Sequence, residues 1–177
     1  KDSEDGTTLE DLYKDADPLL ASMNGTFKGT LTWGESTCLK GTCPESNFEK
    51  KGATDDRSYS FKISCGERLP CKGEAKTEWQ ERSSGKTHSS MTPLTFDGKK
   101  YTWSLKQEFP LCVWTDGREE GTNSNTITWT AKPSKAAFID GNFVATEITG
   151  GSTADNLATK PVTSPSCKPY ESSSREK

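Results

Sequence analysis

The cysteine content constrains this chain of 177 residues more than any other feature. An even number of Cys in a modest chain is typical of a disulfide framework made in an oxidising compartment. A zinc site is less favoured, because the close pairs lack the C-x2-C spacing of zinc ribbons. We therefore expect a secreted, extracellular protein with disulfide bonds and with no metal or cofactor, and the pairing stays open. The six residues are Cys38, Cys43, Cys65, Cys71, Cys112 and Cys167.

The composition indicates a thin hydrophobic core. Apolar residues make up 29% of the chain and charged residues 28%. Disulfide bonds offset part of this shortage, at about 2–4 kcal/mol each. The net charge of -3 disfavours nucleic acid as a partner, and no apolar run is long enough for a membrane helix. The triplet Asn24-Gly25-Thr26 is a sequon that predicts N-glycosylation at Asn24, which agrees with secretion.

Short runs of alternating apolar and polar residues predict β-strands through the middle of the chain. The dipeptides Asp97-Gly98 and Asp116-Gly117 are hairpin turn signals between such runs. We count about eight strands with short connections, a pattern typical of antiparallel sandwiches and barrels. The runs contain Phe27–Trp33, Tyr59–Cys65, Trp79, Leu94–Phe96, Tyr101–Leu105, Phe109–Trp114, Ile127–Ala131 and Ala136–Ile148.

Two helices are expected outside these strands. Apolar residues three and four apart between Leu9 and Met23 predict an N-terminal helix, which Pro18 interrupts or kinks. A short C-terminal helix of about two turns is predicted for 154–160, before Pro161. The expected organisation is a flexible start over 1–7, one disulfide-stabilised β-barrel domain over 8–168 and a flexible tail over 169–177.

The sequence does not favour an enzyme. Nucleophilic catalysis by Ser or Cys usually needs a neighbouring base, and the only His, His88, lies in a polar stretch that predicts a solvated loop. Adjacent carboxylates such as Asp55-Asp56 are typical of solvated turns. We find no phosphate-binding glycine loop and no dinucleotide fingerprint. A non-enzymatic binding protein is the better interpretation.

Two kinds of candidate binding residue remain. Trp33, Trp103 and Trp129 occupy alternating strand positions, which favours the core, although in a barrel they would line a ligand cavity. The thin apolar supply argues against a roomy cavity and favours recognition by the outer surface. Loops on a rigid β scaffold often bind partners. The candidate loop residues are Glu67, Arg68, Leu69, Arg118, Glu119 and Glu120.

The order of these features resembles the tick salivary lipocalins. The carriers of the resemblance are the N-terminal helix, the segment 33–41 (WGESTCLKG), the strand 111–114 (LCVW) followed by an acidic hairpin at 116–121, and a Cys near the end. The resemblance implies an up-and-down β-barrel of lipocalin type with an N-terminal helix and a short C-terminal helix. It also implies a Cys38–Cys167 bridge, which would leave Cys112 to pair with Cys43, Cys65 or Cys71.

The resemblance further implies a function against a host defence. Members of that family bind complement proteins, or sequester biogenic amines and lipids. With the thin core, this favours a host plasma protein such as a complement component as the partner. A small amine or lipid mediator, held inside the barrel, is the alternative.

An immunoglobulin-like adhesion or decoy module is the structural rival. Cys65, Trp79 and Cys112 have the order and approximate spacing of the conserved positions of such a sandwich. The tyrosine expected two residues before the second Cys is missing, because Pro110 stands there. A Cys65–Cys112 bridge would support the sandwich.

Overall fold

The computed structural model describes residues 14–43, 50–65, 71–80, 84–159 and 170–176. In these residues the chain is mainly β, with eight antiparallel strands in one sheet. Each strand pairs with the next along the chain, and β1 also pairs with β8, so that the strands close into a ring. The strands are β1 (Gly25–Gly41), β2 (Thr54–Ser64), β3 (Cys71–Gln80), β4 (Thr87–Phe96), β5 (Tyr101–Val113), β6 (Glu119–Ile139), β7 (Asn142–Thr159) and β8 (Tyr170–Glu176).

The expected hairpin turns join these strands where the sequence places them. Asp97 accepts hydrogen bonds from the backbone N–H groups of Lys99 and Lys100, and these two bonds hold the pKa of its carboxyl below the usual value. Gly98, Gly117 and Gly141 all have positive φ, which glycine adopts without steric cost. The prediction of a mainly β, antiparallel chain with short turns is confirmed.

The core of the strand ring is aromatic. Phe61, Leu94 and Trp103 are each at most 3% exposed, and the rings of Phe61 and Trp103 meet edge to face at 5.3 Å. Trp129 stacks on Trp103 with ring centroids 6.1 Å apart. Each aromatic pair contributes about 0.5–1.5 kcal/mol beyond its buried area. A few large rings thus fill much of the interior of a chain that is poor in aliphatic residues.

The predicted helices are not found in the described residues. There the expected N-terminal helix is reduced to a 3-10 turn at Pro18–Leu20, capped by the Asp17 side chain; residues 1–13 lie outside the description. The prediction of a C-terminal helix is wrong, since its residues up to Thr159 belong to β7. Ala154 and Ala158 are buried on one face of that strand, a spacing that a helix would share. The segment 170–176, expected to be flexible, forms β8.

Two disulfide bonds join cysteines that are close together in the sequence. Cys38 is bonded to Cys43, and Cys65 to Cys71. The expected Cys38–Cys167 bridge is therefore wrong, and so is the Cys65–Cys112 bridge expected for the immunoglobulin-like sandwich. The ring of eight strands also excludes the sandwich itself. Cys112 is also disulfide-bonded, but to none of these four cysteines. Cys167 lies outside the described residues. Within the described ranges, no helix is long and apolar enough to cross a membrane.

Candidate functional site

A gap in strand pairing opens the wall of the ring between β1 and β7. The first part of β1, Gly25–Thr32, pairs with β2, whereas β8 pairs with the second part of β1 from Trp33 onward. β8 is short and covers only Ser152–Leu157 of β7. Nearer the start of β7, an isolated β-bridge joins Val144 to Ser22, which precedes β1. In the described part of the chain, 146–151 of β7 thus has no strand pairing with β1.

A cavity of about 430 Å³ lies in this gap. Tyr59, Trp103 and Trp129 line it from the core side, and Phe27, Leu31 and Ile148 from the two strands. Trp103 and Trp129 are only 3% and 6% exposed, so they are core residues whose edges reach the cavity. The volume lies in the range of about 300–1,000 Å³ that is usual for small-molecule sites. The cavity is mainly aromatic where it meets the core.

Glycine keeps the cavity open on the β1 side. Gly29 lies between Phe27 and Leu31 on β1, and a Cβ at this position would meet no atom within 4 Å. Gly150 on β7 has a different role, because a Cβ there would overlap the backbone of Thr130 on β6. Gly29 therefore leaves space free, whereas Gly150 allows two strands to approach closely.

Among the described residues that line the cavity, the carboxylate is Glu147, which is already bound to other side chains. Glu147 accepts hydrogen bonds from Lys135 Nζ at 2.7 Å and from Ser134 Oγ at 3.2 Å. The hydrogen bond from Lys135 is the main reason that the pKa of Glu147 is below its usual value. A cationic ligand in the cavity would find this charge neutralised by Lys135.

A second polar group lies farther along the ring. Trp33 Nε1 donates to Asp55 Oδ2 at 2.7 Å, and the guanidinium of Arg57 lies 3.5 Å from the same oxygen. The Asp55 and Arg57 side chains are each 13% exposed. A largely buried ion pair of this kind leaves no net charge to attract an ionic ligand. Glu147 at the cavity and Asp55 beyond it are thus both paired with cations.

Some buried side-chain oxygens of the described strands have no hydrogen-bond partner. The hydroxyl oxygens of Ser90 and Thr92 on β4 and the amide oxygen of Asn125 on β6 are buried without one. Such groups usually bind water or a ligand. Within the described ranges, no group of three potential metal-ligating side chains is present.

The structure places the three predicted cavity residues at two different sites. Trp103 and Trp129 do line the cavity, whereas Trp33 lines an adjoining groove and bonds to Asp55. Sequence reasoning missed Gly29, Tyr59 and Ile148. Their only signal is a place on alternating strands, and the gap itself depends on which part of β1 pairs with β8.

The predicted loop residues are only partly described. Arg118 lies at the β5–β6 turn with its guanidinium 4.6 Å from the Trp114 ring, a cation–π geometry. Glu119 and Glu120 belong to β6 and pair with Val113 and Cys112, so they are not loop residues. The remaining candidates, Glu67, Arg68 and Leu69, lie outside the described residues.

Asn24 and His88 also have structural partners. The Asn24 amide oxygen accepts from Ile63 N–H at 2.6 Å, and its amide nitrogen donates to the Ile63 carbonyl at 3.2 Å. The Asn24 side chain thus continues the hydrogen bonding between β1 and β2 beyond their last backbone pair, Gly25 and Phe61. The placement of His88 in a loop is wrong, because it lies in β4 and stacks on Trp79 at 5.7 Å.

Comparison with known proteins identifies no relative. No family model matches the chain. Neither a curated protein nor a solved structure matches it. The function must therefore be argued from the site alone.

Proposed function

We propose that this protein is a secreted, non-enzymatic binding protein that holds a small, largely apolar host mediator, such as a lipid, in the cavity between β1 and β7. The observation that carries the proposal is the aromatic wall formed by Tyr59, Trp103 and Trp129 beside a free volume of about 430 Å³. Small-molecule sites usually combine an apolar wall with a few polar groups, and here Thr26, Lys28 and Thr30 of β1 also line the cavity. A lipocalin-like barrel, the finer interpretation of the strand ring, would suit this use.

A lipid is favoured over a biogenic amine by the charges around the site. Glu147 is bound to Lys135, and Asp55 is bound to Arg57 and Trp33. An amine at Asp55 would have to displace the largely buried guanidinium of Arg57, which costs free energy because a charge is then left without its partner. The Glu147–Lys135 pair is exposed, so an amine that replaced Lys135 there would gain little. An apolar chain needs only to replace water in the cavity.

Titration of the delipidated protein tests this proposal. We expect a long-chain unsaturated fatty acid to quench Trp emission with one saturable site, because Trp103 and Trp129 line the cavity. Histamine and serotonin are the comparison ligands and should not saturate. Trp114→Phe is the control variant, since Trp114 does not line the cavity. Saturable binding of an amine but not of the fatty acid would contradict the proposal.

A host plasma protein, such as a complement component, is the second candidate partner. It is supported by apolar side chains that the strand ring leaves exposed near the β5–β6 turn. Phe109 is 47% exposed and Val113 is 63% exposed. Exposed apolar side chains grouped beside a charged turn are typical of interaction surfaces.

Binding to purified complement components tests the second candidate. A Phe109→Ser/Val113→Ser double variant should lose at least tenfold in affinity, because hot-spot residues of interfaces dominate binding (about 2 kcal/mol or more each). Met91→Ser is the matched control, since Met91 is 62% exposed on β4. If wild-type protein binds none of the components, this candidate is excluded.

A further inference from the structure

A second groove, of about 1,010 Å³, adjoins the cavity described above and shares with it the lining residues Thr130, Ala131, Thr149, Gly150 and Gly151. It crosses β6, β7, β8 and the middle of β1. Its lining includes Thr128 and Thr130 of β6 and Thr153 of β7. Since Trp129 between Thr128 and Thr130 is buried in the core, these two threonines face outward, and so does Thr153, which pairs with Thr128. The groove is thus a feature of the outer surface of the ring.

The groove is strongly basic in a chain whose net charge is -3. Among the described residues it is lined by the cations Lys51, Lys99, Lys100, Lys132 and Arg175 and by one carboxylate, Glu35. Glu35 is bound to Lys51 at 2.7 Å. In the part of the chain that the structure describes, the other four cations form no salt bridge. Asp97, the acid nearest to Lys100 in sequence, is hydrogen-bonded to backbone N–H groups.

The cations are too widely spaced for one small anion. Lys132 lies opposite Thr149 of β7, and Arg175 lies opposite Thr153 on the other side of that strand. Four residues along a strand and two strand spacings across the sheet put their Cα atoms about 17 Å apart. Lys99 and Lys100 extend the row past Lys132 at the β4–β5 turn. A single phosphate cannot contact charges this far apart, whereas an extended polyanion can.

We propose that this groove binds an extended sulfated polysaccharide of the extracellular matrix or cell surface. The disulfide bonds favour an extracellular setting, where such polymers are the abundant polyanions. The threonine hydroxyls between the cations add neutral hydrogen-bond donors along the same path. Such binding would hold the protein at a tissue surface, and it does not depend on the function proposed for the cavity.

Binding of a heparin-derived oligosaccharide to the full chain tests this inference. We expect saturable binding that weakens steeply as salt is raised, because exposed charges are screened. The variant Lys99→Ser/Lys100→Ser/Lys132→Ser/Arg175→Ser should bind at least about tenfold more weakly. Circular dichroism and thermal denaturation would verify that this variant is folded.

A charge-matched control separates the groove from general attraction. Lys62 on β2 and Lys72 on β3 are exposed cations that do not line the groove. Lys62→Ser/Lys72→Ser should keep wild-type affinity, whereas Lys132→Ser/Arg175→Ser, with the same change in charge, should not. Equal losses in the two double variants would overturn the inference. So would equally tight binding of single-stranded DNA of the same charge, since the groove would then not select sulfated glycans.

Discussion

Filling the cavity from Gly29 should stabilise the protein and abolish ligand binding together. In Gly29→Val the new side chain starts at a position where a Cβ meets nothing within 4 Å. Replacing Gly inside a strand gains about 0.5–1 kcal/mol. The added methyl groups gain up to about 0.8 kcal/mol each if they are fully buried. Because Gly29 itself is exposed at the cavity mouth, we expect a net gain of about 1–2 kcal/mol.

The gain should be visible in thermal denaturation. For a chain of this size, 1 kcal/mol raises Tm by about 2–4 °C, so the expected increase is about 2–8 °C. In the Trp-quenching titration the same variant should bind the fatty acid at least tenfold more weakly, since the valine occupies ligand volume. Most substitutions that weaken binding do not also raise Tm.

Gly73→Ala is the contrasting substitution. A Cβ at Gly73 would overlap the backbone of Lys62, so this variant should lower Tm. Gly73 does not line the cavity, and ligand affinity of the folded protein should be unchanged. A Gly29→Val protein that is less stable than wild type, or that binds fatty acid with unchanged affinity, would refute the reasoning.

Three further predictions concern individual interactions. Trp33→Phe removes the bond from Nε1 to the carboxylate of Asp55 and should cost about 1–3 kcal/mol in urea denaturation, with Trp114→Phe as control. Cys65→Ser/Cys71→Ser opens a short loop and should cost about 2 kcal/mol, whereas peptide mapping of the wild type should recover both local bridges. The pKa of Glu147 is lowered in the folded state, so its interaction with Lys135 stabilises the fold at pH values above the ordinary pKa of 4.5. This stabilisation is lost as the pH falls through the folded-state pKa. Lys135→Met should raise that pKa in a carboxyl NMR titration, and an unchanged value would contradict the assigned cause.

The strands could be predicted from the sequence because their signals are local. Tyr101, Trp103 and Leu105 alternate in β5, and turn residues flank this strand at Asp97-Gly98 and Asp116-Gly117. β7 was the harder case, because Ala154 and Ala158 suit one face of a helix as well as one face of a strand. Pairing of β7 with β6 on one side and β8 on the other decides for the strand. The hydrophobic period and the β-propensity of this segment do not tell which strands it pairs with.

The candidate site could be predicted only in part. Trp103 and Trp129 were identified as possible cavity residues by their strand positions. The cavity itself depends on the edge of β1 opposite to β2, which β8 pairs with only from Trp33 onward. Neither the start of this pairing nor the short reach of β8 leaves a local pattern. The disulfide bonds show the same limit, since six cysteines allow many pairings and geometry selects among them.

The central claim is that an apolar ligand lies against Trp103 and Trp129 in the gap between β1 and β7. Its most direct test is an isotope-filtered NOE measurement on the protein with a ¹³C-labelled fatty acid. We predict NOEs from the ligand methylenes to the indole protons of these two residues and to Ile148, and none to Trp114. NOEs confined to the exposed Phe109 and Val113, or no intermolecular NOEs at saturating ligand, would contradict the claim.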